Sequence, residues 1–357
     1  MASTDDLRPA STLPAQYGAE PASILVVRRD NIGDLLCTTP LLSALRARYP
    51  VAFLAVLVSS YNRDVVEGNP DIDAVYVFPK RQQQGNRLFS TLWQRWRLRR
   101  ALHARRFDVI ILANGGWRYG RHLGGRRVIG FIERDNGPDD QPDVVVPVPD
   151  STSVHEVRKL ELIGRAIGVP RADGPLTLIP QPARVAAIRA RLETAGFDPR
   201  IPATGIHIST RRDTQRWPIE HFAALIRALH DQGTRQFLLY WSPGAEDDPM
   251  HPGDDRKAAA LLDALQGLPV HPCPTTRVAE LVAAMSLADC MVCSDGGAMH
   301  VAAALHLPIL CFFGDSHVAE WHPWGVPCEV LQDASKRVDA IRVETALAGW
   351  QRLVEKR

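Results

Sequence analysis

The chain has 357 residues and a mass of 39.5 kDa, too long for one ordinary domain and of a length to form two. Its 45% hydrophobic and 23% charged content is that of a globular protein, and its longest apolar run, residues 51–58, falls far short of the roughly 20 residues that span a bilayer, which excludes a transmembrane helix. With 42 Lys+Arg against 40 Asp+Glu the net charge is +2, so the global charge gives no reason to expect a nucleic acid as partner.

Residues 1–23 carry Asp5, Asp6 and Glu20 among Ser, Thr, Ala and Pro. Without a basic start or an apolar core they read as a short disordered leader, not a secretory signal, on a cytoplasmic protein. From residue 24 onward, short β-branched runs at 24–28, 51–58, 74–78, 109–113 and 128–131 alternate with helix-period stretches at 41–49 and 87–106, and a helix over 157–167 closes the series. This alternation predicts βαβ units and a parallel sheet, a first doubly wound domain over 24–168. The Pro- and Gly-containing passage 169–182 reads as a linker.

The alternation then resumes over 183–357, with helices at 183–195, 219–229, 256–265, 278–288 and 338–354 and strands at 205–209, 236–241, 290–293 and 308–313. Two α/β domains in succession imply a crevice, and open parallel sheets bind ligands at the carboxyl ends of their strands. The six cysteines are scattered. Cys290 and Cys293 have C-x-x-C spacing within a strand, where positions i and i+3 face opposite sides, so they read as core thiols and not as a metal or redox pair.

Three strand-to-loop turns carry candidate chemistry. At Arg28-Arg29-Asp30-Asn31-Ile32-Gly33-Asp34 a strand ends, a glycine turns the chain and Asp34 begins a helix; a helix-start carboxylate and a functional one both fit. The glycines do not match a dinucleotide fingerprint. At Ser294-Asp295-Gly296-Gly297-Ala298-Met299-His300 two adjacent glycines let the backbone approach a ligand, the following helix start suits a phosphate, and His300 falls one turn into that helix. At Ser209-Thr210-Arg211-Arg212-Asp213-Thr214-Gln215-Arg216-Trp217-Pro218 a strand empties into a loop of hydroxyls and arginines, donors that suit an anionic ligand or a solvated surface.

Two further segments have a structural reading beside a functional one. Asp71-Ile72-Asp73 reads as a turn between a helix and a strand, not a diphosphate–metal motif, and no metal ligand is assigned. The stretch 87–106 sets Leu88, Phe89, Leu92, Trp93 and Trp96 on one helical face among several arginines. It predicts a helix docked on its sheet, attraction to anionic lipid head groups or a phosphorylated acceptor, or both.

Taken together, residues 24–34, the Arg216-Trp217-Pro218 element, and Ser294 to His300 followed by Phe313-Gly314-Asp315 and Trp321-His322-Pro323-Trp324-Gly325 resemble glycosyltransferase family 9, the ADP-heptose:lipopolysaccharide heptosyltransferases. The resemblance runs from about residue 24 to 350 in order and spacing. It implies a GT-B fold of two Rossmann-like domains facing across a cleft, a nucleotide-sugar donor on the C-terminal domain, a lipopolysaccharide core acceptor on the N-terminal one at the inner membrane, with possible peripheral association, and transfer with inversion. With Asp71-Ile72-Asp73 read as structural, arginines and helix termini are expected to do the work of a cation, without a metal or other cofactor. The resemblance makes Asp34 the catalytic base and assigns Ser209, Thr210, Gln215, Arg216, Asp295, Gly296, Gly297 and His300 to the donor. Many family members have a lysine where Gln215 stands. Were the loop extended, Arg211, Asp213, Gln215 and Trp217 would share one face, which makes Arg211 the expected substitute for that charge, with Arg216 second. A donor other than ADP-heptose, or a silent nucleotide- or glycan-binding protein, are the alternative readings.

Overall fold

The structure is a computed structural model that describes residues 20–79, 88–114, 117–132, 142–148, 152–246 and 253–356. Most of the expected leader lies outside the described residues, as does the first residue of the stretch 87–106. The chain divides into two compact units, Met1–Thr177 and Leu178–Arg357. Val169, Ala172 and Leu176, in the passage between the two series of elements, are buried.

Unit 1 is a six-stranded parallel sheet of β1 (Ser23–Val27), β2 (Phe53–Ser59), β3 (Ala74–Phe78), β4 (Val109–Leu112), β5 (Val128–Ile132) and β6 (Val144–Pro147), in the order β3-β2-β1-β4-β5-β6. The runs of Val, Ile and Leu in β1, β2 and β4 are buried on both faces, as helices on either side of a parallel sheet require. The order reverses between β1 and β4, the topological switch point at which such sheets bind ligands. Helices α1 (Ile32–Arg48), α2 (Leu88–Arg105), α3 (Trp117–Arg121) and α4 (Glu156–Ala166) complete the unit.

Helix α1 joins the helix start expected at Asp34 and the helical stretch 41–49 into one element, and Pro40 lies inside it. Proline has no N–H for the carbonyl of Leu36, and the Thr39 hydroxyl donates to that carbonyl at 2.7 Å instead. The substitute donor lets the helix run through a residue that reads as a breaker.

In α2 the predicted docking face is overturned. Leu92, Trp93 and Trp96 are 60%, 56% and 55% exposed, whereas Leu102 is fully buried and Leu98 packs against the core with it. The Leu98–Leu102 stripe, spaced i, i+4, is the one that meets the sheet, and the tryptophans lie off it. Leu88 and Phe89 have side chains outside the described ones.

Unit 2 repeats the topology. Its strands β7 (Ala203–His207), β8 (Gln236–Trp241), β9 (Val270–Pro274), β10 (Cys290–Ser294), β11 (Ile309–Phe313) and β12 (Cys328–Gln332) are all parallel, in the order β12-β11-β10-β7-β8-β9. Counted from the unit's first strand this is again 3-2-1-4-5-6, with the switch point between β7 and β10. Its helices are α5 (Pro182–Thr194), α6 (Ile219–Asp231), α7 (Asp255–Ala264), α8 (Val278–Met285), α9 (Gly297–Ala304), α10 (Val318–Trp321) and α11 (Val343–Glu355). Phe222, Ala223, Leu225, Ile226 and Leu229 form the buried stripe of α6. The single helix predicted over 338–354 is a 3₁₀ turn, Val338–Ala340, followed by α11.

Three strands escaped the sequence reading, β6, β9 and β12, and each is an edge of its sheet. Edge strands are freed from continuous hydrophobicity and tolerate proline; β9 reads Val-His-Pro-Cys-Pro. Cys290 and Cys293 are both buried free thiols, and Cys293 lies in register with Cys311 of β11.

Candidate active site

In unit 1 the residue after β1 organises the switch point. Arg28 is 3% exposed, and its Nε donates to Asp30 at 3.0 Å while Nη2 donates to Asp34 and to Glu156, each at 2.8 Å. Nη1 donates to the carbonyl of Ala113, just beyond β4. One guanidinium thus ties β1, β4, the first turn of α1 and the first residue of α4. Lys159 adds a second cation, 3.4 Å from Glu156.

Burial disfavours the charge of Arg28, but Glu156, Asp30 and Asp34 outweigh it and raise its pKa. Burial raises the pKa of Asp30; Arg28 opposes the shift and Asp34 adds to it. The Asp34 side chain remains 15% exposed, so its carboxylate is held from within and reachable from solvent. Asp71 and Asp73, by contrast, make structural contacts: Asp71 accepts from Ser43 at 2.5 Å, and Asp73 accepts from the Leu54 N–H at 2.7 Å and from Arg46 at 2.6 Å.

Unit 2 brings three of the sequence segments together at its switch point. The loop after β7 holds Ser209 and Thr210; the Ser209 hydroxyl accepts from the Ser242 N–H at 2.9 Å, and the Thr210 hydroxyl lies 3.4 Å from the Arg212 carbonyl. A 3₁₀ turn at Asp213–Gln215 then buries Gln215, whose amide donates to Asp295 at 2.8 Å and to the Ser316 hydroxyl at 3.0 Å. Trp217 anchors the loop, donating from Nε1 to the Ile341 carbonyl at 2.8 Å and packing on Phe312 with ring centroids 4.5 Å apart.

Asp295 is 8% exposed and precedes Gly296, which caps α9 with φ 146 and ψ −170, a conformation that is essentially glycine's alone. A Cβ there would meet nothing within 4 Å, so the space beside the helix start is open to a ligand. Gly297 is the first residue of α9 and His300 the fourth; His300 is 3% exposed, with its ring 5.9 Å from Trp321 in an edge-on contact. At Gly314 a Cβ would lie 2.4 Å from the Thr214 carbonyl oxygen, so only glycine lets the turn after β11 close on this loop. Thr214 donates to Asp315 at 2.9 Å, and that bond holds the Asp315 carboxyl below its ordinary range.

The extended-loop alternation does not hold. The 3₁₀ turn rotates successive side chains out of strict alternation, burying Gln215 and Trp217 and leaving Arg211 and Asp213 exposed. Arg216 pairs with Asp213 at 2.9 Å, whereas Arg211 makes no hydrogen bond or ion pair among the described residues. Sequence reasoning missed Arg28 as an organiser, Glu156, Ser316, and Gln332, whose amide donates to the carbonyls of Gly314 and Ser316 at 2.8 and 3.0 Å. The available signals were an arginine ending a buried strand and a glutamate opening a helix after the capping His155.

This arrangement offers a fixed carboxylate in unit 1 and, in unit 2, hydroxyls, a guanidinium and a helix start suited to a diphosphate. Comparison with known proteins points the same way. The chain is 25% identical over 304 residues to lipopolysaccharide heptosyltransferase 3 of Escherichia coli, covering 82% of this chain and 83% of the relative. To lipopolysaccharide heptosyltransferase 2 of Salmonella typhimurium it is 24% identical over 322 residues, covering 82% and 83%.

Among solved structures, a family 9 glycosyl transferase from Veillonella parvula superposes with a TM-score of 0.80 at 18% identity, covering 95% of this chain and 98% of that one. The E. coli heptosyltransferase WaaC with ADP superposes with a TM-score of 0.73 at 19% identity, covering 93% and 99%. These matches bear out the α/β fold of GT-B type. The family model described as glycosyltransferase family 9 (heptosyltransferase) matches residues 95–347, and with most of its length under that model the chain belongs to glycosyltransferase family 9.

Proposed function

We propose that this glycosyltransferase moves a heptose from ADP-heptose to a hydroxyl of a lipopolysaccharide inner-core acceptor, with inversion at the anomeric carbon. In this reading Asp34 takes the proton of the acceptor hydroxyl, the acceptor oxygen bonds to the anomeric carbon, and the bond from that carbon to the diphosphate breaks. Unit 2 holds the donor through Ser209, Thr210, Gln215, Arg216, Asp295, Gly296, Gly297 and His300. Arg211 and the start of α9 supply positive charge to the departing ADP, so that no metal or other cofactor is needed.

The observation that carries the reading is the convergence on the unit 2 switch point of the Ser209–Gln215 loop, the Asp295–Gly296 turn and the turn at Gly314, linked by the Gln215–Asp295 bond of 2.8 Å. The names of the relatives support the heptose and the lipopolysaccharide acceptor.

The place of work is the cytoplasmic face of the inner membrane, with peripheral attachment. No helix among the described residues is long and apolar enough to cross a membrane. On α2 the exposed Trp93 and Trp96 carry Arg97 and Arg100 over their rings, with Cζ 4.6 and 5.5 Å from the centroids, a combination suited to an anionic lipid interface.

The test is the product mass after incubation with ADP-heptose and a truncated core acceptor, run beside a panel of other nucleotide sugars. One added heptosyl residue is expected with ADP-heptose. Transfer from a different donor alone would replace the heptose reading, and donor binding without any transfer would favour a silent binding protein.

A further inference from the structure

Beside the Arg28 cluster, unit 1 holds two more guanidinium groups that form no ion pair among the described residues. Arg29 lies against the Tyr119 ring, with Cζ 3.7 Å from the centroid, and over Phe78 at 4.7 Å; Arg95 of α2 lies over the same Phe78 at 4.7 Å. The two rings meet edge to face, 6.1 Å apart. Among the described residues Arg29 makes no hydrogen bond or ion pair, and Arg95 makes one long bond, 3.4 Å from Nη2 to the Pro79 carbonyl. The Nε atoms of both are buried without a partner.

The lack of an ion pair among the described residues has identifiable reasons. Asp30, next in sequence to Arg29, accepts instead from Arg28 at 3.0 Å. Around Arg95, residues 80–106 contain nine lysines and arginines and no aspartate or glutamate. Burial lowers the pKa of Arg29; Tyr119 and Asp30 oppose the shift in part, and the neighbouring charge of Arg95 adds to it. Two like charges fixed on one aromatic pair repel each other, and the arrangement is relieved by an anion from outside.

With the rings against each Cζ, the terminal N–H groups are the donors left for an anion, and guanidinium N–H groups suit the oxygens of a phosphate. The position fits a substrate group. Arg29 stands two residues past β1 and Phe78 ends β3, so the pair lies at the carboxyl end of the sheet, as Arg28 does.

We infer that Arg29 and Arg95, seated on Phe78 and Tyr119, form an anion subsite that receives a phosphate monoester carried by the glycan acceptor. Two cations match a dianion better than a single carboxylate. Arg29 is only partly exposed, so a phosphate projecting from a sugar reaches it more readily than a flat lipid surface, which would meet the open tryptophans of α2 first. The inference rests on the transferase reading for its ligand, but its test needs no transfer.

Inorganic phosphate, glucose 6-phosphate and acetate are titrated calorimetrically into the full chain saturated with ADP, which blocks the nucleotide site. The same titrations follow for Arg29→Gln and Arg95→Gln. Phosphate and glucose 6-phosphate should bind saturably and weaken about tenfold to a hundredfold in each variant, with acetate weak throughout and ADP affinity unchanged. Should Arg29→Gln melt at a lower temperature than the parent, Arg95→Gln decides. Unaltered phosphate binding in a stable Arg95→Gln protein, or no saturable binding by the parent, overturns the subsite. Vesicles of phosphatidic acid and of phosphatidylcholine separate the sources: loss of phosphatidic acid binding in the variants while glucose 6-phosphate binding persists would make the ligand a lipid phosphate and overturn the proposal. Failure of ADP to bind would count against the transferase reading and leave the phosphate result standing.

Discussion

The two units share a strand order and place an aspartate at the strand-to-helix junction of their switch points, yet they hold it by opposite means. In unit 1, Asp34 is gripped by a buried guanidinium that also serves Asp30 and Glu156. In unit 2, Asp295 meets the neutral amide of Gln215. The first arrangement fixes a carboxylate by charge and leaves it reachable, which suits a group that handles a proton. The second leaves a buried acid facing a neutral hydrogen-bond donor, beside an open glycine and a helix start, which suits recognition of a ligand. The same topology therefore supports two chemistries, decided by one residue after β1 and one in the loop after β7.

The sharpest way to break this contrast is to remove each partner. Arg28→Met leaves three carboxylates together in unit 1 and is expected to cost about 3 to 5 kcal/mol of stability, read by urea unfolding. Gln215→Leu removes hydrogen bonds given by a neutral donor and should cost only about 1 to 3 kcal/mol. Equal losses would erase the distinction between a charged grip and a neutral one.

A second experiment concerns the charge that unit 2 lacks at position 215. Arg211→Ala is expected to lower turnover by about a hundredfold to a thousandfold, the usual loss for one donor that stabilises developing charge. Adding Gln215→Lys to that variant should restore part of it, because an ammonium would then stand beside Asp295. If Arg211→Ala turns over normally and Gln215→Lys alone creates activity where the parent has none, the silent-binder reading wins.

Unit 2 also carries a buried histidine whose titration separates its stability from that of unit 1. Burial, partly opposed by Asp254, lowers the pKa of His207 to about 4. The unfolded chain takes up this proton near pH 6.5 and the folded one near 4, so stability is fully present above 6.5 and falls as the pH drops through that window. Between pH 7.5 and 5 the loss from this group is about 2 kcal/mol. Unfolding of His207→Asn at the two pH values should lack that increment. The smallest effect expected is from chelation: transfer should survive EDTA, and loss restored by Mg²⁺ would refute the metal-free account.

Much of the fold was legible because buried parallel strands are continuous apolar runs, and β1, β3, β8 and β11 fall within a residue or two of their predicted places. Edge strands such as β9 were not, since proline and histidine there break the pattern without breaking the sheet. The continuity of α1 was hidden by Pro40, whose missing N–H is replaced by the Thr39 hydroxyl, a compensation visible only in three dimensions. At the candidate site the glycines, hydroxyls and aspartates were readable from their order. The partners were not: Glu156 reaches Arg28 across 128 positions of sequence, and the burial of Gln215 depends on a 3₁₀ turn that a loop's composition does not announce.

The most direct test of the central claim is a paired measurement of turnover and ADP affinity in Asp34→Asn and Asp295→Ala. Asp34→Asn is expected to lose at least about a hundredfold in kcat, the low end for a general base, with the ADP Kd unchanged. Asp295→Ala should weaken ADP about tenfold or more. Near-normal turnover in Asp34→Asn, or unchanged ADP affinity in Asp295→Ala, would contradict the assignment of proton transfer to unit 1 and donor binding to unit 2.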